Sequence, residues 1–195
     1  GHPLPGVELR VLETGRGPSD TQVVPEAIVS GDPSEIWVRG ANLFSGYWPD
    51  GADGPGEDGW YATGDIGLIG TDGDLVLVDR VRELVIVSGF NVYPREIEDV
   101  VAEVTGVHQV AVIGQPHEET GEAVVAFVEP DPSAGIADDE LVEAVRARCR
   151  TRLARFKQPS QVVVVAGLPR SATGKIEKGR LRAQARSGAL GLDLR

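Results

Sequence analysis

The 195-residue sequence contains no methionine and only one cysteine, Cys149. A single cysteine excludes an intrachain disulfide, and it fits the reducing cytoplasm, where we expect the protein to be located. No apolar run approaches the roughly 20 residues of a membrane-spanning helix, and the sequence does not start with a signal-peptide pattern. Because methionine is absent even at position 1, we expect the chain to be a piece of a longer protein.

Histidines are also scarce, and their positions argue against a zinc site. His2, His108 and His117 are far apart and have no cysteine beside them, whereas zinc sites combine closely spaced histidines and cysteines. The composition, with 41% hydrophobic and 25% charged residues, is that of a globular protein. It excludes disorder, collagen and coiled coil as descriptions of the whole chain, and the length allows one domain or two small ones.

The net charge of −11 is distributed unevenly along the chain. Residues 1–79 contain three basic residues and fourteen acidic ones, whereas bases and acids balance in residues 80–195. Within the second part, residues 146–186 contain twelve Arg or Lys and a single acid, Glu177. Such a segment could attract a polyanion, or it could be a solvated, arginine-rich helix face. No aromatic residue follows Phe156, which argues against single-stranded nucleic acid, and we expect no nucleic-acid partner.

Residues 1–80 are predicted to form a β-rich module. Apolar residues alternate with polar ones along residues 7–11, as in a half-buried strand. Residues 66–69 and 75–78 flank the dipeptide Asp72-Gly73. This dipeptide is a strong hairpin signal because both of its positions tolerate positive φ.

The remainder of the chain is predicted to be a small α+β domain. Pro94 opens a helix, where its missing N–H costs nothing, and Gly106 is expected to end it. Asp138 and the two acids after it begin a second helix, since acidic side chains favour a helix N-terminus. Further elements are expected as strands at 84–87, 107–113, 123–128 and 161–165 and as a short basic helix at 177–186. The predicted fold class is therefore α+β, with a β-rich module at residues 1–80 followed by an α+β domain at 81–195.

Three sequence motifs carry most of the functional information. They are Tyr61-Ala62-Thr63-Gly64-Asp65, the segment 79–98 (DRVRELVIVSGFNVYPREIE) and residues 168–176 (LPRSATGKI). In this order and spacing they resemble the adenylate-forming superfamily, which comprises acyl-CoA synthetases, the adenylation domains of peptide synthetases and luciferases. The resemblance extends to Gly46-Tyr47-Trp48 and Asp58-Gly59-Trp60, whose tryptophans are expected to be packing residues.

The resemblance implies that this chain is the C-terminal portion of such an enzyme. Residues 1–80 correspond to the last β module of the large N-terminal domain, and residues 81–195 correspond to the small, mobile C-terminal domain. The family's Ser/Thr/Gly-rich phosphate loop, its adenine-binding motif and its metal-binding glutamate do not occur in this sequence. The missing large N-terminal domain is thus an expected partner, and no metal ligand is expected within this chain.

Lys175 is the candidate catalytic residue. Gly-Lys can also end a P-loop, but six residues separate Gly167 from Gly174 and Ile176 follows the lysine, so the P-loop pattern fails. The plain structural alternative is an exposed lysine in a mobile loop rich in Gly, Thr and Ser. By resemblance, Lys175 reaches the acyl carboxylate and the nucleotide phosphate during adenylation. A flexible point charge suits that role because negative charge builds up in the transition state.

Three residues are implied to act around the nucleotide and the domain joint. Asp65 would accept hydrogen bonds from both ribose hydroxyls of ATP, although it could equally form an Asx turn after Gly64. Arg80 would contact ribose or phosphate, and its alternative is a surface ion pair with Asp79. Arg82 falls at the position about which the family's C-terminal domain pivots, so it is the predicted hinge residue.

The segment Ser88-Gly89-Phe90 is implied to bind CoA. Gly89 resembles the glycine that lets the backbone approach the pantetheine arm, although an ordinary turn glycine is the simpler alternative. The pattern from Ser88 to Pro94 is closest to fatty- or aryl-acyl-CoA synthetases. The intact enzyme would therefore use ATP, Mg²⁺ and CoA to convert a carboxylic acid substrate into an acyl-adenylate and then into a CoA thioester.

Two other functions stay open from the sequence. The acceptor could be the pantetheine of a carrier protein rather than CoA, as in acyl-AMP ligases. Alternatively, the piece could be a noncatalytic module that binds a polyanion through its basic segment. The fragment by itself is predicted to be inactive, because most of the acyl pocket lies in the missing domain.

Overall fold

The structure, a computed structural model, describes residues 1–13 and 33–187. The chain divides into two compact units at the Arg82–Glu83 peptide bond, two residues beyond the boundary that the sequence predicted. The described part contains nine β-strands and three α-helices, which confirms the predicted α+β class. Residues 14–32, which belong to the predicted β-rich module, lie outside the described residues.

The N-terminal unit contains a four-stranded antiparallel sheet in the order β1-β2-β3-β4. Its strands are β1 (Val7–Leu12), β2 (Ser34–Gly40), β3 (Tyr61–Ile69) and β4 (Leu75–Arg80). The β3–β4 hairpin is the one that the sequence predicted, and its turn is closed by a hydrogen bond from Gly70 N to Asp74 O at 2.8 Å. This hairpin aligns Asp65 in β3 with Arg80 in β4.

The two tryptophans that were expected to pack differ sharply in burial. Trp60 is 4% exposed, and the guanidinium groups of Arg10 and Arg39 lie 4.4 and 4.8 Å from its ring centroid. Such cation–π contacts hold an amphipathic ring at the sheet surface. Trp48 is 93% exposed, so the expectation that it packs is wrong among the described residues. It lies within the loop that separates β2 from β3.

The C-terminal unit combines a five-stranded sheet with three helices. The strands pair in the order β6-β5-β8-β7, and β9 joins β8 in parallel. The elements are β5 (Val85–Val87), β6 (Phe90–Val92), α1 (Pro94–Ala102), β7 (Val107–His117), β8 (Gly121–Pro130), α2 (Asp138–Arg152), β9 (Gln161–Val164) and α3 (Lys178–Arg186). Residues 81–83 and 155–157 form single 3₁₀ turns.

The β7–β8 hairpin is the centre of this unit, because both of its faces are buried. Along β8, Val124, Ala126 and Val128 contribute to a core with α1 and α2, whereas Val125 and Phe127 contribute to a second core with α3. The alternation follows the two-residue period of a strand. A strand covered on both faces is continuously apolar, which explains the unbroken run of hydrophobic residues in this part of the sequence.

The sequence missed strand β6 and placed the end of α1 too late. Ser88 and Gly89 have φ of +50° and +85°, and they form a two-residue turn that pairs Val87 with Phe90. The turn was recognised, but three residues before Pro94 are too short a run to signal a strand. α1 ends at Ala102 rather than near Gly106, because the chain there continues as turns into β7.

Candidate functional site

Lys175 lies in a hydrogen-bonded turn that we call the Lys175 turn, residues 171–175. Ser171 N donates to Lys175 O at 2.8 Å, and Gly174 N donates to Ser171 O at 2.9 Å. A β-bridge between Arg170 and Ile176 closes the base of the turn. The sequence predicted a loop at this place, and in the structure this loop is a small hairpin-like turn with two hydrogen bonds between its own backbone groups.

The side chain of Lys175 is exposed, and no ion pair or hydrogen bond of its ammonium occurs within residues 1–13 and 33–187. Gly174, directly before Lys175, has a φ of +82°. Nothing lies within 4 Å of the position that a Cβ on Gly174 would take, so this glycine is required by its backbone angle rather than by crowding. Among the described residues, the turn therefore presents the ammonium of Lys175 at its C-terminal end without a partner.

The N-terminal side of the Lys175 turn is fixed to the central hairpin by Arg170. Its guanidinium donates to Gly174 O at 3.2 Å and to Gln109 Oε1 in β7. The same group lies 3.7 Å from Glu129 Oε2 in β8, and this oxygen also accepts the N–H of Leu168 at 3.0 Å. These contacts tie the turn to the end of the hairpin where β7 starts and β8 ends.

Asp65 and Arg80, both predicted to hold the nucleotide, contact each other. Arg80 Nε lies 3.2 Å from Asp65 Oδ1, and both side chains are partly exposed. Asp79 accepts a hydrogen bond from the backbone N–H of Arg80 at 2.8 Å. The backbone N–H of Asp65 donates to Thr63 Oγ1 at 3.1 Å, so Thr63 rather than Asp65 supplies the side-chain oxygen of this local turn. One oxygen of the Asp65 carboxylate thus faces a cation within hydrogen-bonding range.

These two residues line a cavity of about 400 Å³ in the N-terminal unit. Arg82, the predicted hinge residue, lines the same cavity and is exposed. So does Glu35 of β2, which the sequence did not single out. Burial raises the pKa of the Glu35 carboxyl, and a hydrogen bond from the backbone of Gly64 opposes this shift only in part. Only the β2–β3 register brings Glu35 beside this cavity, so no local pattern could have found it.

The Ser88-Gly89-Phe90 segment forms the tip of the β5–β6 hairpin. Ser88 is a non-glycine residue with positive φ, and its N–H donates to Thr120 O at 2.8 Å. Phe90 is 56% exposed and stacks on Phe156, with ring centroids 4.9 Å apart and an interplanar angle of 29°. Apart from the neighbours of Gly89 in the chain, no atom of the described residues lies within 4 Å of the place that a Cβ on Gly89 would occupy. The backbone at Gly89 is therefore open to a close approach from outside the unit.

A cavity of about 440 Å³ adjoins this hairpin tip. Ser88, His117, Arg155 and Phe156 are among its lining residues. His117 Nδ1 lies 3.0 Å from the Thr120 hydroxyl, which also donates to Glu122 O. The sequence reasoning missed His117 and Arg155, because the turns that follow β7 and α2 bring them together from distant points of the chain.

The basic segment 146–186 is largely neutralised by carboxylates of the same chain. Most of its cations have an acidic partner within salt-bridge distance. The pairs formed by arginines and by Lys157 are Arg146–Glu143, Arg148–Glu103, Arg152–Glu103, Lys157–Glu96, Arg170–Glu129 and Arg180–Glu177. This internal pairing favours the solvated helix face over a polyanion-binding surface.

Metal binding and membrane insertion find no support in the described part of the chain. Residues 1–13 and 33–187 contain no group of three or more His, Cys, Asp or Glu side chains that could hold a metal ion. None of the helices described is both long and apolar enough to span a bilayer.

Comparison with known proteins gives similarities over nearly the whole chain. Residues 96–175 match the family model of the C-terminal domain of AMP-binding enzymes. A long-chain-fatty-acid–CoA ligase of Salmonella typhimurium is 41% identical over 189 residues, which make up 95% of this chain and 31% of that protein. The chain thus spans about a third of the length of the curated relatives that it matches.

Solved structures are also similar to this chain over nearly its whole length. The structure of ATP-bound MatB from Rhodopseudomonas palustris has a TM-score of 0.79 and 37% identity, and the match covers 95% of this chain and 35% of that one. The amide bond synthetase McbA from Marinactinospora thermotolerans has a TM-score of 0.76 and 34% identity, with coverages of 94% and 35%.

Proposed function

Because the chain belongs to the adenylate-forming, AMP-binding enzymes as their C-terminal portion, we propose that the complete protein is an acyl-CoA synthetase for a fatty or aryl carboxylic acid. In the first step a carboxylate oxygen of the acid attacks the α-phosphorus of ATP, and pyrophosphate leaves. In the second step the CoA thiol attacks the acyl carbon, and AMP leaves with the electrons of the broken bond. The observation that carries this proposal is the exposed ammonium of Lys175, the last residue of a hydrogen-bonded turn, which has no partner among residues 1–13 and 33–187.

Lys175 acts in the first step. Its ammonium is a compact charge that offsets the negative charge developing on the carboxylate and the phosphoryl oxygens as the bond to phosphorus forms. Such help is most effective when the charge is already in place, since no reorganisation is then needed. The paired backbone groups of the Lys175 turn support this role, because they fix the direction in which the side chain leaves the turn.

Asp65 and Arg80 hold the nucleotide. A carboxylate has two oxygens that accept the two ribose hydroxyls, while Arg80 contacts ribose or phosphate with the donors that Asp65 does not occupy. Mg²⁺ accompanies ATP in reactions of this kind, and because the described residues offer it no ligand cluster, no step on this chain is assigned to the metal.

Ser88, Gly89 and Phe90 act in the second step, after the C-terminal unit has turned about Arg82. The open backbone at Gly89 lets the pantetheine arm of CoA pass close to the strand, and Phe90 offers an exposed aromatic face beside it. The stack of Phe90 on Phe156 supports the hairpin tip from behind. One small domain thereby serves both steps through a hinge motion.

The decisive test is Lys175→Ala in the complete protein. We expect the rate of acyl-adenylate formation, measured as pyrophosphate release, to fall roughly a hundredfold or more. Removal of one preorganised group that stabilises charge has an effect of this size in other enzymes. Thioester formation from supplied acyl-adenylate should stay close to wild type. Arg150→Ala, which removes an exposed cation from α2, is the matched control and should leave both steps intact. Equal loss of both steps in Lys175→Ala would contradict the assigned role.

The isolated 195-residue chain should form no acyl-adenylate, because it contains no phosphate loop and most of the acyl pocket is absent. Pyrophosphate exchange catalysed by the purified chain alone would contradict this. The acceptor is a separate question, since one similar structure belongs to an amide bond synthetase. Mass spectrometry of products formed with CoA, with a pantetheine-bearing carrier protein and with a simple amine distinguishes the three acceptors, and we expect acyl-CoA.

A further inference from the structure

The first residue of α3, Lys178, is a largely buried cation held between two carboxylates. Its Nζ lies 2.8 Å from Glu83 Oε2 and 2.8 Å from Glu98 Oε1. The side chains of Lys178 and Glu98 are 14% exposed, and that of Glu83 is 20% exposed. We call these three residues the Lys178 cluster. It lies within the C-terminal unit, and none of its members belongs to the site described above.

The Lys178 cluster joins four separate parts of the C-terminal unit. Glu83 is the residue directly after Arg82 in the chain, and Glu98 belongs to α1. Glu98 Oε1 also accepts the backbone N–H of Val112, in the middle of β7, at 2.7 Å. Lys178 therefore connects the start of α3 with the start of the unit, with α1 and with the central hairpin.

Only two residues, Ile176 and Glu177, separate Lys178 from the Lys175 turn, and the backbone of each is paired with another part of the chain. Ile176 is bridged to Arg170, and the N–H of Glu177 donates to Pro169 O at 2.8 Å. Every residue between Lys175 and Lys178 is thus already fixed by the backbone. Since Arg170 anchors the other side of the turn to Gln109 and Glu129, the turn is held from both sides.

The choice of a charged residue at position 178 needs a reason, because burial opposes an ammonium. Desolvation disfavours the charged form, but the carboxylates of Glu98 and Glu83 outweigh it and raise the pKa of Lys178 above its ordinary value. A well-packed apolar residue often stabilises a fold as well as a buried ion cluster does. What the ion cluster adds is directionality, since two carboxylates from different elements determine where one ammonium must lie.

We propose that Lys178 is a positioning residue for Lys175. Clamped between Glu83 and Glu98, it locks the base of the Lys175 turn to the residue after the hinge and to the central hairpin. The turn then moves as one body with the unit whenever the chain pivots at Arg82. The inference rests on the proposed role of Lys175 in adenylation and assigns this chain a second lysine that acts through the first.

The test compares Lys178→Met with Arg180→Met in the complete protein. Arg180 is the matched control because it lies on the same helix and pairs with the exposed carboxylate of Glu177. We expect Lys178→Met to slow acyl-adenylate formation by roughly ten- to a hundredfold, as a displacement near 1 Å of a positioned group does, and to spare thioester formation from supplied acyl-adenylate. Arg180→Met should leave both steps unchanged.

A second readout is the amide hydrogen exchange of Ser171 and Gly174 in the 195-residue chain. Exchange at these amides should accelerate in Lys178→Met and not in Arg180→Met. If Lys178→Met fails to fold, Glu83→Gln keeps the side-chain shape, weakens the cluster and should give the same kinetic split to a smaller extent. Unchanged adenylation, or equal loss of both steps in a folded variant, would overturn the proposal.

The outcomes also separate this inference from the proposed function. If Lys175→Ala abolishes adenylation while Lys178→Met does not affect it, the positioning role is wrong and the function stands. If Lys175→Ala leaves adenylation intact, the proposed function is wrong, and with it the reason for positioning Lys175.

Discussion

Arg80 Nε lies 3.2 Å from Asp65 Oδ1, so the two residues predicted to bind the nucleotide already form an ion pair without it. Both side chains remain partly exposed, and exposed pairs of this kind contribute only about 0.2–1 kcal/mol. In the proposed complex, ATP would therefore displace part of the contact at little cost. The pair keeps both side chains oriented toward one cavity of about 400 Å³ before the ligand arrives.

The first prediction concerns Arg80→Ala in the complete protein. Loss of Arg80 releases Asp65 from its ion pair, but it also removes a charged donor to the nucleotide, and such a hydrogen bond is worth about 1.5–3 kcal/mol. The second effect is larger, so we expect the affinity for ATP to fall by roughly tenfold or more. Isothermal titration with a non-hydrolysable ATP analogue measures this change.

Arg39→Ala is the control for that titration. Arg39 lies in the same unit and forms an exposed ion pair with Glu8, yet it does not line the cavity. Its removal should leave ATP affinity unchanged. Tighter binding of the analogue by Arg80→Ala would show that the ion pair with Asp65 competes with the nucleotide and that Arg80 does not bind it.

The second prediction compares two glycines near Lys175. Gly174→Ala should destabilise the 195-residue chain by about 1 kcal/mol, because Gly174 has φ of +82°, a conformation that disfavours a Cβ. Gly167 lies outside the positive-φ region, and a Cβ there would also meet nothing within 4 Å. Gly167→Ala should therefore be neutral or slightly stabilising. Urea denaturation of both variants gives the free energies, and equal stabilities would refute the requirement for positive φ.

The third prediction concerns the pH dependence of stability set by Glu35. Burial raises the pKa of the Glu35 carboxyl in the folded state above its ordinary value of 4.5. As the pH rises above 4.5, the Glu35 carboxyl ionises first in the unfolded chain. The folded state therefore loses stability, and it remains less stable at neutral pH. Glu35→Gln removes the cost of ionising this carboxyl in the folded state. The variant should therefore melt at a higher temperature than wild type at pH 7.

Thermal melts between about pH 3.5 and 8 test this prediction. The advantage of Glu35→Gln should shrink as the pH falls through the raised pKa of the folded state, and it should vanish well below 4.5, where the carboxyl is protonated in both states. Glu119→Gln, at an exposed position in the turn after β7, serves as the control and should track the wild type. A variant less stable than wild type at pH 7 would mean that the charged form of Glu35 is favoured in the fold.

Local patterns were sufficient for most of the secondary structure. Asp72-Gly73 marked the β3–β4 hairpin, Pro94 marked the start of α1, and the acids from Asp138 marked the start of α2. Each of these signals acts through the conformation or charge of residues adjacent in the chain. Strand β6 was not predicted, because its three residues form a strand only by pairing with β5 after the Ser88-Gly89 turn.

For the candidate site, too, the sequence predicted some features and missed others. Motifs identified Lys175, Asp65 and Arg80 as candidates, but they gave no sign that Asp65 and Arg80 pair or that Glu35 lines their cavity. The Lys178 cluster was likewise invisible, since its members come from three distant points of the sequence. Contacts that depend on strand register and helix packing require the folded chain.

The β7–β8 hairpin keeps the two candidate reactive turns far apart. Arg170 fastens the Lys175 turn to Gln109 and Glu129, while Thr120, in the loop at the opposite end, holds Ser88. The nine residues of extended strand from Gln109 to His117 span roughly 26 Å. Because this distance separates them, the Lys175 turn and the Ser88-Gly89 turn would reach one reaction centre only one after the other. Adenylation and thiol attack would therefore not take place at the same time.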